Sequence, residues 1–187
     1  MHDLDRRTLL SFLGVASITP LLGMPEAATR HPAISHPGES RFAYATEAGA
    51  QGLPCKVSAG DSGGTFSVFE AVIPGRTGPP LHVHHREDEW FYAVAGNFAF
   101  EVGDDKFQLS AGSSALAPRR VPHRWANTDK TDGKLIFVFQ PGWIETFFDD
   151  FYKLAVKGNP IDQAALSAVF AKHDLELLGS TMFPPQA

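Results

Sequence analysis

Cysteine is nearly missing from this chain of 187 residues: Cys55 stands alone. A single thiol makes no internal disulfide and excludes a cysteine-based zinc site. Nothing beside Cys55 marks an activated thiolate, so it reads as a small buried hydrophobe. Basic runs are missing too. The formal charge of −5 speaks against nucleic acid or an anionic membrane surface as a partner. No repeat of solenoid length is present. The chargeless stretch from Thr8 to Pro25 is broken by Ser11, Gly14, Ser17, Thr19, Pro20 and Gly23, so it spans a membrane poorly and leaves no stable anchor. Tryptophan and tyrosine are scarce, three of each, whereas phenylalanine occurs 15 times; that bias suits a core or pocket lined by aromatic faces.

What the N-terminus does have is a pattern in three parts. Arg6 and Arg7 are adjacent, a short apolar middle follows, and small residues close it at Ala27–Ala28. These are the parts of an export signal, and the paired arginines resemble a twin-arginine signal. Residues 1–28 are read as that signal, which predicts a periplasmic or secreted protein. Residues 29–40, rich in Pro, Gly, Ser and His, read as a linker.

Hydrophobic residues make up 43% of the chain, enough for a real core. From 41 to 140 the chain reads as short strands separated by turns. RFAYATEA, GTFSVFEAVI, WFYAVAG, NFAFEVG, KFQLS, SALAP, HRWANT and KLIFVFQ are the candidates. Phe98 and Phe100 share one face, as do Leu135, Phe137 and Phe139. Gly96-Asn97 reads as a tight hairpin turn, with similar breaks at Gly103-Asp104-Asp105 and Asp132-Gly133. Many short, evenly spaced strands predict an antiparallel sandwich or barrel. Over 141–187 the period changes. Ile144, Phe147, Phe148, Phe151, Leu154 and Ala155 form a helical stripe, read as core packing. Asn159-Pro160 reads as the cap and first turn of a second helix, with Ile161, Ala165, Leu166, Val169 and Phe170 on its apolar face. The fold class expected is mainly β, with two C-terminal α-helices covering one side.

Residues 82–90, HVHHREDEW, concentrate lone-pair donors in otherwise apolar chain. His82 and His84 are two apart, so on a strand both imidazoles face one side and His85 faces the other. Glu89 follows a charged bend, Arg86–Asp88, where the alternation can reset. His123 lies on a distant strand candidate, VPHRWAN. Three imidazoles and one carboxylate suit Fe(II), Mn, Co, Ni, Cu or Zn better than Mg or Ca. Spacing by itself leaves the bland alternative standing: a solvated hairpin tip, and surface or core histidines among the eight in the chain.

The two stretches resemble the paired motifs of the cupin superfamily. The first family motif is a Gly-led turn, His-x-His, Glu three or four residues on, then six residues and Gly; here it is His82, Val83, His84, four residues, Glu89, six residues, Gly96. The leading glycine is replaced: Gly75 and Gly78 straddle a position that holds Arg76, so a differently shaped turn is expected. The second family motif is Gly, five residues, Pro-x-Gly, two residues, His, three residues, Asn. Here it is Gly112, Pro118, His123 and Asn127 at those spacings, with Arg120 in place of the second glycine, and a different backbone is expected there too. The match covers roughly 64–140.

The resemblance implies a cupin-type antiparallel β-barrel, or jelly roll, over 41–140, followed by a helical extension over 141–187. It implies one divalent transition metal (Fe, Mn, Ni, Cu, Co or Zn) held by His82, His84, Glu89 and His123. The chemistry of a carboxylate that loosens from the metal adds a second expectation, Glu89 as a general base. The layout is similar to single-domain bacterial cupins of the quercetin 2,3-dioxygenase-like group. The leading expectation is therefore a dioxygenase acting on a flavonol-like or enol-bearing aromatic small molecule. A non-redox decarboxylase or isomerase, and an envelope protein that binds a metal or small ligand without turnover, are the alternatives. Cupin barrels commonly pair through sheet edges, so a homodimer is compatible with the resemblance. Phe66, Phe91, Phe98, Phe100, Trp125 and Phe137 are the candidate pocket lining. Arg120 is a second candidate feature, as a cation at the barrel mouth.

Overall fold

Alternation decides which side of each strand is buried. In SVFEAVI, residues 67–73, Ser67, Phe69, Ala71 and Ile73 are buried while Val68, Glu70 and Val72 face outward. GKLIFVFQ, 133–140, buries Leu135, Phe137 and Phe139 in the same way. The computed structural model describes residues 31–42, 53–155 and 162–183. The segment read as an export signal, most of the strand candidate at 41–48, and Asn159-Pro160 lie outside them.

Ten strands and three helices are found among the described residues. In chain order they are β1 (Cys55–Val57), α1 (Ala59–Ser62), β2 (Ser67–Ile73), β3 (His82–His84), β4 (Asp88–Ala95), β5 (Asn97–Val102), β6 (Asp105–Ser110), β7 (Ser114–Ala117), β8 (His123–Asn127), β9 (Gly133–Gln140), α2 (Glu145–Ala155), α3 (Gln163–Lys172) and β10 (Leu175–Leu177). They form two antiparallel five-stranded sheets, ordered β1-β2-β9-β4-β7 and β10-β3-β8-β5-β6. This is the expected mainly-β jelly roll with two helices near its C-terminal end.

Phenylalanines line up across the sheets. Phe69 pairs with Phe137 and Phe137 with Phe91, so three rings stand in a row on the inner face of the first sheet. In the second sheet Phe100 pairs with Trp125. The Phe91 and Phe100 rings meet edge to face at 5.0 Å across the interior. Each such ring contributes roughly 2 kcal/mol through burial, plus the directional aromatic contact.

Two readings are corrected and one strand is added. Gly96-Asn97 is no hairpin turn: β4 pairs with β7 and β9, whereas β5 pairs with β6 and β8, so Gly96 marks a crossing between sheets. The tight turn is the next one, Gly103-Asp104, which closes β5 onto β6 with Val102 opposite Asp105. The cap of α3 is Asp162, whose carboxylate accepts from the Ala164 and Ala165 amides. Finally, β10 follows the helices and pairs in register with β3, Leu175 opposite His84 and Leu177 opposite His82.

Candidate metal centre

The three-residue strand β3 carries His82 and His84 on the same side, as alternation requires, and both are buried. His123 opens β8 directly opposite His82. Glu89 comes from the other sheet. Residues 85–87 carry the chain across, and β4 begins at Asp88 with Glu89 facing inward. The charged bend therefore does reset the alternation. His85 points away and meets Glu176 at the surface.

The structure brings all four sequence-predicted residues together. Their donor atoms lie within 4.8 Å of one another. Glu89 Oε2 is 3.0 Å from His123 Nε2 and 3.5 Å from His84 Nε2. Opposed donors on one transition-metal ion sit about 4.2 Å apart, so small side-chain adjustments would bring these atoms onto a single ion. The donor chemistry fits. Burial holds the His82 imidazole well below its ordinary pKa, and the neighbouring His123 and His84 push the same way. A neutral ring keeps the lone pair that a metal needs. A carboxylate buried beside imidazoles is costly without a cation, and a divalent ion supplies that charge.

Hydrogen bonds orient the rings. His82 Nδ1 is 2.8 Å from the Pro80 carbonyl and His123 Nδ1 is 3.1 Å from that of Val121. Each ring is thereby held with Nε2 available to the cluster. His84 differs. Its Nδ1 faces Glu87 Oε2 at 3.7 Å, and both atoms are buried without a hydrogen-bond partner among the described residues. Glu87 itself is buried and was not among the predicted site residues. Its signal in the sequence was faint, one acid among several in a run.

Above the donors lies a cavity of about 320 Å³. His82, His84 and Glu89 form its polar end, while His123 is the most deeply buried of the four donors. Of the predicted lining, Trp125 and Phe137 face the cavity. Phe91, Phe98 and Phe100 pack into the core instead, and Phe66 is part exposed away from it. Their place is taken by Phe147, Phe148 and Phe151 of α2 and Phe170 of α3. The helical stripe read as pure core packing is thus also a cavity wall; Phe170 meets the His82 ring edge-on at 6.1 Å. The density of Phe in the stripe was the available signal. Gly78 also lines the cavity, and a Cβ there would collide with the Trp125 carbonyl oxygen, so only glycine fits. Arg120 is exposed and does not line the cavity. Asn127 is structural: its side-chain amide donates to the carbonyls of Ile73 and Thr131 and tethers the loop that follows β8.

The model of the cupin domain family matches residues 68–139. Protein SchB of Streptomyces halstedii is 32% identical over 80 residues, covering 42% of this chain and 58% of that protein. An uncharacterized protein of Methanocaldococcus jannaschii is 25% identical over 75 residues, covering 40% of this chain and 60% of its own. The chain thus spans less than two thirds of the length of these curated relatives. Among solved structures, TT1209 from Thermus thermophilus aligns at 26% identity with a TM-score of 0.40, over 42% of this chain and 74% of that one.

Proposed function

The chain belongs to the cupin superfamily through residues 68–139, and from that premise we propose that it is a metal-dependent dioxygenase acting on an enol-bearing aromatic, flavonol-like small molecule. One observation carries the reading: three buried imidazoles and one buried carboxylate converge beside an aromatic-walled cavity that three of them line. His82, His84, Glu89 and His123 would hold a divalent transition metal. When bound, the metal supplies Lewis acidity and a template for a pair of substrate oxygens. The chain's own residues do the rest. Glu89 faces the cavity and accepts the enol proton at its carboxylate. The rings of α2 and α3 exclude water and hold the substrate body. The acidic net charge suits a small-molecule partner rather than nucleic acid. The arginine pair at Arg6-Arg7 supports work in the cell envelope.

The test is oxygen uptake by metal-replete protein over a panel of flavonols, alongside metal analysis. Stoichiometric oxygen consumption with ring cleavage is expected. Turnover without oxygen would instead identify a decarboxylase or isomerase, and tight binding without turnover a carrier. In the Glu89→Gln variant, turnover falls about a hundredfold or more while bound metal per chain falls far less. Parallel loss of both would make Glu89 only a ligand.

A further inference from the structure

The cavity over the donors has one polar end. Of the described side chains that line it, His82, His84 and Glu89 are the ionisable ones, and all three lie together. Trp125 adds an indole N–H. Among the described residues every other lining side chain is Leu, Ile, Pro or Phe, apart from Gly78. The backbone offers little more near the site, since the Pro80 carbonyl is already engaged by His82 Nδ1 at 2.8 Å. The rings present faces and edges suited to another aromatic body: Phe147 and Phe170 meet edge to face at 5.0 Å, and Phe139 and Phe148 at 5.8 Å. The volume of about 320 Å³ lies at the low end of small-molecule sites, which run from roughly 300 to 1,000 Å³.

We infer, resting on the function proposed above, that the substrate is a compact hydrophobic molecule with a single pair of neighbouring oxygens at one end, and that ring systems hydroxylated elsewhere are discriminated against. The oxygen pair faces His82, His84 and Glu89. A hydroxyl turned to the walls leaves water and finds an aromatic or aliphatic surface. Each hydroxyl buried in that way weakens binding about tenfold. Among flavonols the site selects the least decorated.

The experiment uses the full chain with its metal content measured, and three probes: 3-hydroxyflavone, its 3′,4′,5,7-tetrahydroxy derivative quercetin, and flavone, which lacks the 3-hydroxyl. Dissociation constants come from fluorescence titration and competition. 3-Hydroxyflavone is expected to bind at least tenfold more tightly than quercetin and more tightly than flavone. Ile73→Thr puts one hydroxyl on the wall without touching a donor residue. It narrows the gap between 3-hydroxyflavone and quercetin severalfold at unchanged metal content; Phe137→Tyr serves the same purpose if that variant does not fold. Quercetin binding as tightly as 3-hydroxyflavone, or neither binding to metal-replete protein, overturns the inference. Failure of the dioxygenase reading has a different mark: the preference for 3-hydroxyflavone persists, yet no oxygen is consumed.

Discussion

At the residue scale, the sharpest asymmetry is among the three imidazoles. Two are tied by backbone carbonyls, while His84 faces the Glu87 carboxylate at 3.7 Å. With His84 Nε2 given to a bound ion, Nδ1 would hold the ring proton, and a small rotation of Glu87 would close a hydrogen bond to it. Outer carboxylates of this kind contribute about 10- to 100-fold to metal affinity. Glu87→Ala should lose affinity in that range by competition with a chelating dye, and Glu87→Gln, which keeps an acceptor, should lose clearly less. Equal loss in both would deny Glu87 this orienting role. The four residues that converge were legible, because alternation put His82 and His84 on one side and the resemblance to the two family motifs added Glu89 and His123, where spacing by itself left a solvated hairpin tip open. The two replaced glycines were read differently from what is found. Arg76 and Arg120 adopt φ of +60° and +66°, the left-handed conformation that glycine favours. Each costs about 1–2 kcal/mol of strain. The turns survive because their amides are engaged, Arg76 with the Asn127 carbonyl and Arg120 with that of His84 at 2.7 Å. The Arg76 guanidinium also stacks over the Phe183 ring. A motif compares side chains, and these turns are held by backbone hydrogen bonds.

At the element scale, the helical wall of the cavity depends on how α2 and α3 hold each other. Asp150 of α2 meets Lys172 Nζ at 2.6 Å and His173 Nε2 at 2.8 Å, at the end of α3, with Lys153 at 3.9 Å. The Lys172 hydrogen bond, then that from His173, holds the Asp150 carboxyl below the ordinary carboxylate range. A lowered folded-state value means that the cluster adds stability above about pH 4, and that this is lost as pH falls through and below that point. Asp150→Asn should therefore cost about 0.5–1 kcal/mol at pH 7 by urea unfolding, and the gap from wild type should shrink by pH 3. A gap of the same size at both values would place the contribution elsewhere. The apolar stripe of α2 was legible as buried, yet periodicity says nothing about what lies across from it, and a cavity looks the same in sequence as a core. The strand β10 was not legible at all. Three residues, Leu175–Leu177, are too short to show alternation, and their pairing with β3 is fixed by tertiary contact. Gly96 shows the same limit: a turn residue marks a break without saying which sheet receives the next strand.

At the scale of the whole molecule, the donors are shared between sheets. His82, His84 and His123 belong to one and Glu89 to the other. An ion bound by all four clamps the sheets together and favours the folded state by mass action. At a free metal concentration about a hundred times Kd that amounts to about 2.7 kcal/mol, or roughly 5–10 °C in melting temperature for a chain of this size. A chelator should lower the midpoint by that much in differential scanning fluorimetry, and resupply of the metal should restore it; an unchanged midpoint would mean that no ion spans the sheets. The pairing of β10 with β3 has a consequence for biosynthesis. The strand that bears His82 and His84 gains its outer neighbour only when residues 175–177 have left the ribosome. The strand that carries two of the donors is therefore framed on its outer edge only after this distant segment has folded back onto it.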